Sequence, residues 1–218
     1  MSPIELIIFD CDGVLVDSEV LSSRAMQNVL RAQGIAVSLE TIAGCVGMKQ
    51  ADILARIERE TGHVIGPAVG TELWPATRLL FGEHLSATTG LTAFLDASLA
   101  RRCVASSSSH ERIAFSLSVT GLAPYFEPDA IFSSSDVTRG KPAPDLFLHA
   151  AARMGVAPEL CLVIEDSPFG VMGAVAAGMT AIGFTGGSHS GPVIGATLIA
   201  AGAVAIESRW ADVAERLT

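Results

Sequence analysis

The sequence predicts an α/β fold, a Rossmann-like doubly wound parallel sheet interrupted once by an inserted helical domain. Three observations carry this reading. Short apolar runs at 6–9, 103–105, 130–132, 160–164, 180–184 and 203–206 have the length and aliphatic character of strands buried on both faces. Helical patterns at 109–120, 144–154, 168–177 and 210–217 alternate with the later runs, the rhythm of a parallel sheet covered on both sides. The stretch from 18 to 87 breaks that rhythm with helical signals alone, at 19–33, 39–44, 50–61 and 72–84.

Taken in order, the first run, Leu6-Ile7-Ile8-Phe9, stops at Asp10, where a charge ends burial. The chain then leaves for the helical stretch near residues 16–18 and returns near 88–92. The expected organisation is therefore a core of 1–17 and 88–218 with a helical cap of 18–87. The run at 103–105 is followed by Ser106 to Ser109, too short for a linker and placed directly after a strand. Pro144 and Pro168 stand where helices start, and Gly155 and Gly178 where they stop. Thr185-Gly186-Gly187-Ser188-His189 is glycine-rich but lacks the lysine and spacing of a phosphate-binding loop, and reads as an ordinary loop.

Composition narrows the function classes. Half of the 218 residues are hydrophobic and 17% are charged, so a substantial core is available. The formal charge of −9 argues against nucleic-acid binding, which needs a basic face. It does not exclude an anionic substrate, because a bound cation and one or two lysines invert the field of a cleft. Cys11, Cys45, Cys103 and Cys161 are far apart and form no CxxC pair, which favours free thiols and a reducing compartment. The N-terminus lacks a signal peptide's basic flank and cleavage site, and the apolar stretch 193–206 is too short to span a bilayer. The expectation is a cytoplasmic protein, monomeric or weakly dimeric, without membrane partners. The five histidines show no metal-ligand spacing, and Trp74 and Trp210 read as packing residues.

The candidate chemistry lies at the strand ends, where open parallel sheets gather ligands. Asp10 and Asp12 follow the first strand, and alternation aims both at one point beyond it, with Gly13 letting the chain turn away. Ser106 and Ser107 follow the second strand, Glu165 and Asp166 follow a later one, and Lys141 precedes a helix in Arg139-Gly140-Lys141-Pro142. Acids, an ammonium and a hydroxyl on one rim suit metal-assisted phosphoryl transfer. Mg²⁺ takes near-octahedral oxygen ligands at about 2.0–2.1 Å and keeps room for water and phosphate. Arg139 is a local rival to Lys141, and Glu165-Asp166 also suit a helix N-terminus without any metal.

These stretches, in this order, resemble the four motifs of the haloacid dehalogenase-like hydrolase superfamily. Asp10-Cys11-Asp12-Gly13-Val14-Leu15-Val16-Asp17-Ser18 is similar to the first, Ser106 after Cys103-Val104-Ala105 to the second, Gly140-Lys141-Pro142 to the third and Glu165-Asp166-Ser167-Pro168 to the fourth. The likeness is strongest to the subgroup of β-phosphoglucomutases and sugar-phosphate phosphatases, with a cap inserted after the first motif. It implies Asp10 as nucleophile, forming an aspartyl-phosphate, and Asp12 as general acid and base. It implies Mg²⁺ held by the Asp10 carboxylate, the Asp12 carbonyl, Asp166 and Glu165. Ser106, Ser107 and Lys141 would bind the phosphoryl group. Asp17 and Ser18 would fix the cap hinge.

The resemblance leaves more than one reaction open. The second aspartate separates the chain from dehalogenases and phosphonatases of the superfamily. β-Phosphoglucomutases carry a cap histidine where this chain has about Ser22, and a cap-loop arginine where Gly47-Met48-Lys49-Gln50 offers Lys49. Both departures favour a phosphatase over a mutase. A non-catalytic phosphometabolite-binding module is the third reading, and the presence of Asp10, Asp12, Lys141 and Asp166 speaks against it. Lys49 is the candidate for binding a substrate carboxylate or second phosphate. Asp17-Ser18-Glu19-Val20 followed by Ser23-Arg24 is similar to 6-phosphogluconate phosphatases, which implies a small phosphorylated sugar or sugar acid as partner.

Overall fold

A computed structural model describes residues 4–45 and 50–217. The chain runs through β1 (Leu6–Phe9), α1 (Glu19–Ala32), α2 (Leu39–Ala43), α3 (Gln50–Thr61), α4 (Pro67–His84), α5 (Leu91–Ala97) and β2 (Arg101–Ser106). It continues through α6 (His110–Val119), β3 (Ile131–Ser133), α7 (Asp145–Met154), β4 (Cys161–Glu165) and α8 (Pro168–Ala176). The last elements are β5 (Thr180–Phe184), α9 (Ile194–Ala201), β6 (Ala205–Glu207) and α10 (Trp210–Glu215). The six strands form one parallel sheet in the order β3-β2-β1-β4-β5-β6. The order reverses between β1 and β4, the switch point where such sheets open a crevice.

Each face of the sheet has its own core. Alternation in β1 sends Ile7 and Phe9 toward Phe94, Ile113, Leu117 and Trp210, contributed by α5, α6 and α10. Leu6 and Ile8 point the other way, toward Leu146, Phe147, Val171 and Leu198 of α7, α8 and α9. Burial on both faces explains why these strands are uniformly apolar. The insertion between β1 and β2 contains no strand among its described residues and packs around Leu30, Ile42, Ile57 and Leu73. Its two connections run side by side: Val16 forms an antiparallel bridge with Ala87, and Asp17 N donates to the Ser86 carbonyl at 3.0 Å. Thr88 Oγ1 donates to the Val14 carbonyl at 2.6 Å and accepts from Trp210 Nε1 at 2.9 Å, pinning the return to the core.

The structure departs from the expected elements in three places. α4 begins at Pro67, which occupies the first turn after Gly66, rather than at 72. Helices α5 and α9 were not expected from the sequence pattern. The apolar stretch 193–206 resolves into α9 and part of β6, and no helix among the described residues is long and apolar enough to cross a membrane. All four cysteines are buried free thiols.

Candidate active site

The crevice at the β1–β4 switch collects the acids. Asp10 N donates to the Ile164 carbonyl at 3.0 Å, so the strand ladder itself sets Asp10 beside Glu165 and Asp166. One carboxylate oxygen from each of Asp10, Glu165 and Asp166 lies within 4.8 Å of the others, and all three residues are buried. Lys141 enters from the loop before α7, its Nζ 3.1 Å from Asp10 Oδ1 and 2.5 Å from Glu165 Oε1. Its side chain is 1% exposed, whereas Arg139 pairs with Asp145 with its side chain 70% exposed, which decides between the two cations. Glu165 Oε2 also accepts from Ser167 N at 2.9 Å and Ser167 Oγ at 3.0 Å.

Three carboxylates face one ammonium, and the titration of the site reflects the shortfall. Burial pushes Asp10 well above the usual carboxylate range, with Lys141 opposing the rise and Glu165 and Asp166 adding to it. Burial raises Asp166 in the same way, helped by Glu165. Burial works to lower Lys141, but Asp10 and Glu165 outweigh it and hold the ammonium above its ordinary value. Asp166 Oδ2 is buried with no hydrogen-bond partner among the described residues. His189 Nε2 approaches it to 2.9 Å without hydrogen-bond alignment. An excess of buried oxygen donors with an orphaned oxygen fits a hard divalent cation.

Two glycines are required by this packing. Gly13 has φ +75°, and a Cβ there would lie 1.9 Å from Asp166 Oδ2. A Cβ on Gly170 would lie 1.7 Å from Glu165 Oε1, so α8 approaches the acids by omitting a side chain.

Asp12 departs from the expected convergence. Its carboxylate stands apart from the acidic cluster: Ser18 Oγ donates to Oδ1 at 2.6 Å, Arg112 Nη2 to Oδ1 at 2.7 Å and Ser108 Oγ to Oδ2 at 2.6 Å. Strand alternation ends at Phe9, and the chain then turns tightly, with Leu15 N and Val16 N both donating to the Cys11 carbonyl. The period-two rule therefore does not reach Asp12. Burial works to raise its pKa, but Arg112, Ser108 and Ser18 prevail and hold it below the ordinary carboxylate value.

Ser106 is buried at the end of β2, and its Oγ accepts from Ser108 N at 3.2 Å. The Ser107 carbonyl accepts from Ser134 Oγ at 2.8 Å and the Ser108 carbonyl from Ser133 Oγ at 2.7 Å, locking the loops after β2 and β3 together. These serines share a cavity of about 510 Å³ with Asp10, Asp12, Lys141 and Asp166, roofed by Ile42, Leu73, Trp74 and Thr77 of the helical insertion. Lys49 lies outside the described residues. Asp17 Oδ1 accepts from Ser188 N and Oγ, both at 2.9 Å, tying the start of the insertion to the loop after β5.

Three site residues escaped the sequence reading. Arg112 comes from the first turn of α6. Glu19, at the start of α1, lines the cavity, and burial, reinforced by Asp12 and Asp166, pushes its pKa up to about 8. His189 comes from the loop read as ordinary. The tight fit of that loop shows only in three dimensions: a Cβ on Gly187 would meet the His189 ring at 2.8 Å and the Gly13 carbonyl at 3.0 Å.

Comparison with known proteins agrees with this geometry. The family model described as haloacid dehalogenase-like hydrolase matches residues 7–184. The chain is 35% identical over 196 residues to 6-phosphogluconate phosphatase of Escherichia coli, covering 89% of this chain and 88% of that protein. It is 32% identical over 178 residues to the fructose-1-phosphate phosphatase of the same organism, covering 81% and 94%. A solved haloacid dehalogenase-like protein of Agrobacterium tumefaciens superposes with a TM-score of 0.86 at 37% identity, covering 98% of this chain and 97% of that one.

Proposed function

The chain belongs to the haloacid dehalogenase-like hydrolases, and from that premise we propose a Mg²⁺-dependent phosphatase acting on a small sugar phosphate or sugar-acid phosphate in the cytoplasm. The observation that carries the proposal is the buried Asp10–Lys141–Glu165–Asp166 constellation at the sheet switch point. Names of the similar proteins support the substrate class: one acts on 6-phosphogluconate and one on fructose 1-phosphate.

In this reading Asp10 attacks phosphorus, forming an aspartyl-phosphate as the ester P–O bond breaks. The leaving oxygen takes a proton that Asp12 first draws from solvent, since Arg112, Ser108 and Ser18 hold the resting side chain below the ordinary carboxylate value. Asp12 then accepts a proton from water as the water oxygen attacks phosphorus, and the Asp10–phosphorus bond breaks to release phosphate. Lys141 and the Ser106 hydroxyl, with the backbone of the following loop, hold the phosphoryl oxygens and offset their charge. Asp10, Asp166 and Glu165, together with the Asp12 carbonyl, would hold Mg²⁺, which supplies charge neutralisation at the phosphoryl oxygens when bound.

The mutase reading has less support. At the place where β-phosphoglucomutases carry a histidine, Ser22 Oγ donates to the Ser18 carbonyl at 2.9 Å and accepts from Arg112 Nη2 at 2.9 Å. The test is phosphate release from sugar phosphates, sugar-acid phosphates and nucleotides, with and without Mg²⁺, beside Asp10→Asn. Mg²⁺-dependent release abolished in the variant is the expected result. Interconversion of hexose phosphates primed by a bisphosphate, without release, would replace the phosphatase by the mutase. Neither activity would leave a binding module.

A further inference from the structure

Arg112 is the cationic residue of the cavity that the proposed chemistry leaves without a task. Among the described residues lining the cavity, Arg112 and Lys141 are the lysines and arginines, and Lys141 is already held by Asp10 and Glu165. From the first turn of α6 the guanidinium reaches across to the helical insertion. Its Nη2 donates to Ser22 Oγ of α1 at 2.9 Å, and its Cζ lies 5.0 Å from the centroid of the Phe81 ring of α4. The same Nη2 donates to Asp12 Oδ1 at 2.7 Å. Both side-chain hydrogen bonds of Arg112 leave from that one nitrogen, and Nε is buried without a partner among the described residues. A planar fork engaged on one prong and set in a cavity wall matches an oxyanion able to take two donors.

We infer that Arg112 determines substrate specificity by binding a second anionic group, a carboxylate or a phosphate, at the end of the substrate remote from the transferred phosphoryl group. The inference rests on the phosphatase reading and names the substrate class for that same site. Asp10, Asp12, Glu19 and Asp166 also line the cavity, so an anionic tail entering it needs a cation at its own end. The Asp12 carboxylate already occupies the guanidinium. An incoming oxyanion replaces it like for like, and the partly buried cation stays paired throughout. When it gives up the guanidinium, Asp12 keeps the Ser18 and Ser108 hydroxyls, each at 2.6 Å. A substrate with an anionic tail thus anchors itself by exchange with the Asp12 carboxylate. A neutral sugar leaves Asp12 paired with Arg112.

Binding tests this separately from turnover. Three ligands are titrated by calorimetry into the Asp10→Asn protein with Mg²⁺: a six-carbon aldonic acid 6-phosphate, a hexose bisphosphate and a hexose 6-phosphate. Adding Arg112→Ala should weaken an anionic-tailed ligand roughly 10- to 100-fold, the range for a hydrogen bond between charged groups. The hexose 6-phosphate should change by less than about threefold, and Arg112→Lys should restore part of the loss. The ligand that loses affinity tells a carboxylate from a second phosphate. Equal losses on all three ligands would make Arg112 a clasp between core and insertion and overturn the inference, as would no loss on any. If Arg112→Ala fails to fold, Arg112→Gln carries the same comparison. Phosphate release by the unsubstituted enzyme judges the phosphatase reading independently: binding without release from any substrate sinks that reading and leaves the calorimetry to decide on Arg112. Binding of none of the three ligands overturns the inference on Arg112 and leaves phosphate release to decide on the phosphatase.

Discussion

Replacing Lys141 with methionine asks how much of the fold depends on one ammonium. The methionine keeps an unbranched stem beside the Phe147 ring, over which Nζ lies 5.2 Å from the centroid, but leaves Asp10 and Glu165 without their cation. The lysine side chain is 1% exposed and that of Glu165 0%, so water does little to offset the loss. Removing one partner from a buried ion pair costs about 3–5 kcal/mol. At about 2–4 °C per kcal/mol for a chain of this size, Tm should fall by roughly 6–20 °C at pH 8 without added metal. The pH dependence has a definite sign. Without Lys141 the raised folded-state pKa of Asp10 rises further, and stability tied to a raised carboxylate pKa is present below the unfolded value of about 4 and lost as pH rises. The deficit of the variant relative to the parent should therefore shrink at pH 5. Differential scanning calorimetry of both proteins at the two pH values measures it. A Tm within about 2 °C of the parent at pH 8, or an equal deficit at both pH values, would refute the assignment of Lys141 as the counter-charge of the cluster.

Two further changes probe the site from other sides. Gly13→Ala forces a side chain into a positive-φ turn and against Asp166 Oδ2, so it should destabilise the protein by more than about 1 kcal/mol and weaken Mg²⁺ binding in calorimetry; parental Tm and metal affinity together would show that the turn relaxes freely. Glu19→Gln tests the cavity acid whose pKa is raised to about 8. The folded state favours protonated Glu19, so the native residue carries a penalty that grows as pH rises from about 4 through 8. The glutamine variant should gain Tm over the parent at pH 9 in EDTA and show no gain at pH 4, whereas parallel curves across that range would place Glu19 in water.

What the sequence disclosed follows from which interactions are local. Strands buried on both faces announce themselves as apolar runs, and their ends fell within a few residues of 6–9, 160–164 and 180–184. Helix α9 stayed hidden for the opposite reason: Ile194–Ala201 has no charged residue, so no polar face marks its period. Helix α5 is 7 residues long and leaves too few turns to establish one. The start of α4 was obscured by Gly70, a poor helix former whose position the packed insertion tolerates.

The site divides along the same line. Asp10, Glu165 and Asp166 are legible because each directly follows, or ends, a strand, and parallel pairing of β1 with β4 sets those ends side by side whatever surrounds them. Lys141 carries the signature of its loop, Gly140-Lys141-Pro142 ahead of a helix. Arg112 and His189 have no such local mark. An arginine in the first turn of a helix reads as a surface residue, and a histidine in a glycine loop reads as solvated. Arg112 becomes a site residue only when α6 packs against α4 and delivers it to Asp12, 100 positions away in sequence. The loop after β5 becomes part of the crevice only when Ser188 ties it to Asp17, across 171 positions. The chemistry that the strand ends dictate, an acidic cluster with one lysine, was therefore readable before the fold was known. The groups that shape the cavity around it come from elements whose meeting is decided by packing. On the inference drawn for Arg112, substrate choice rests on those elements, which places the search for specificity on Arg112 and the helical insertion rather than on the acids.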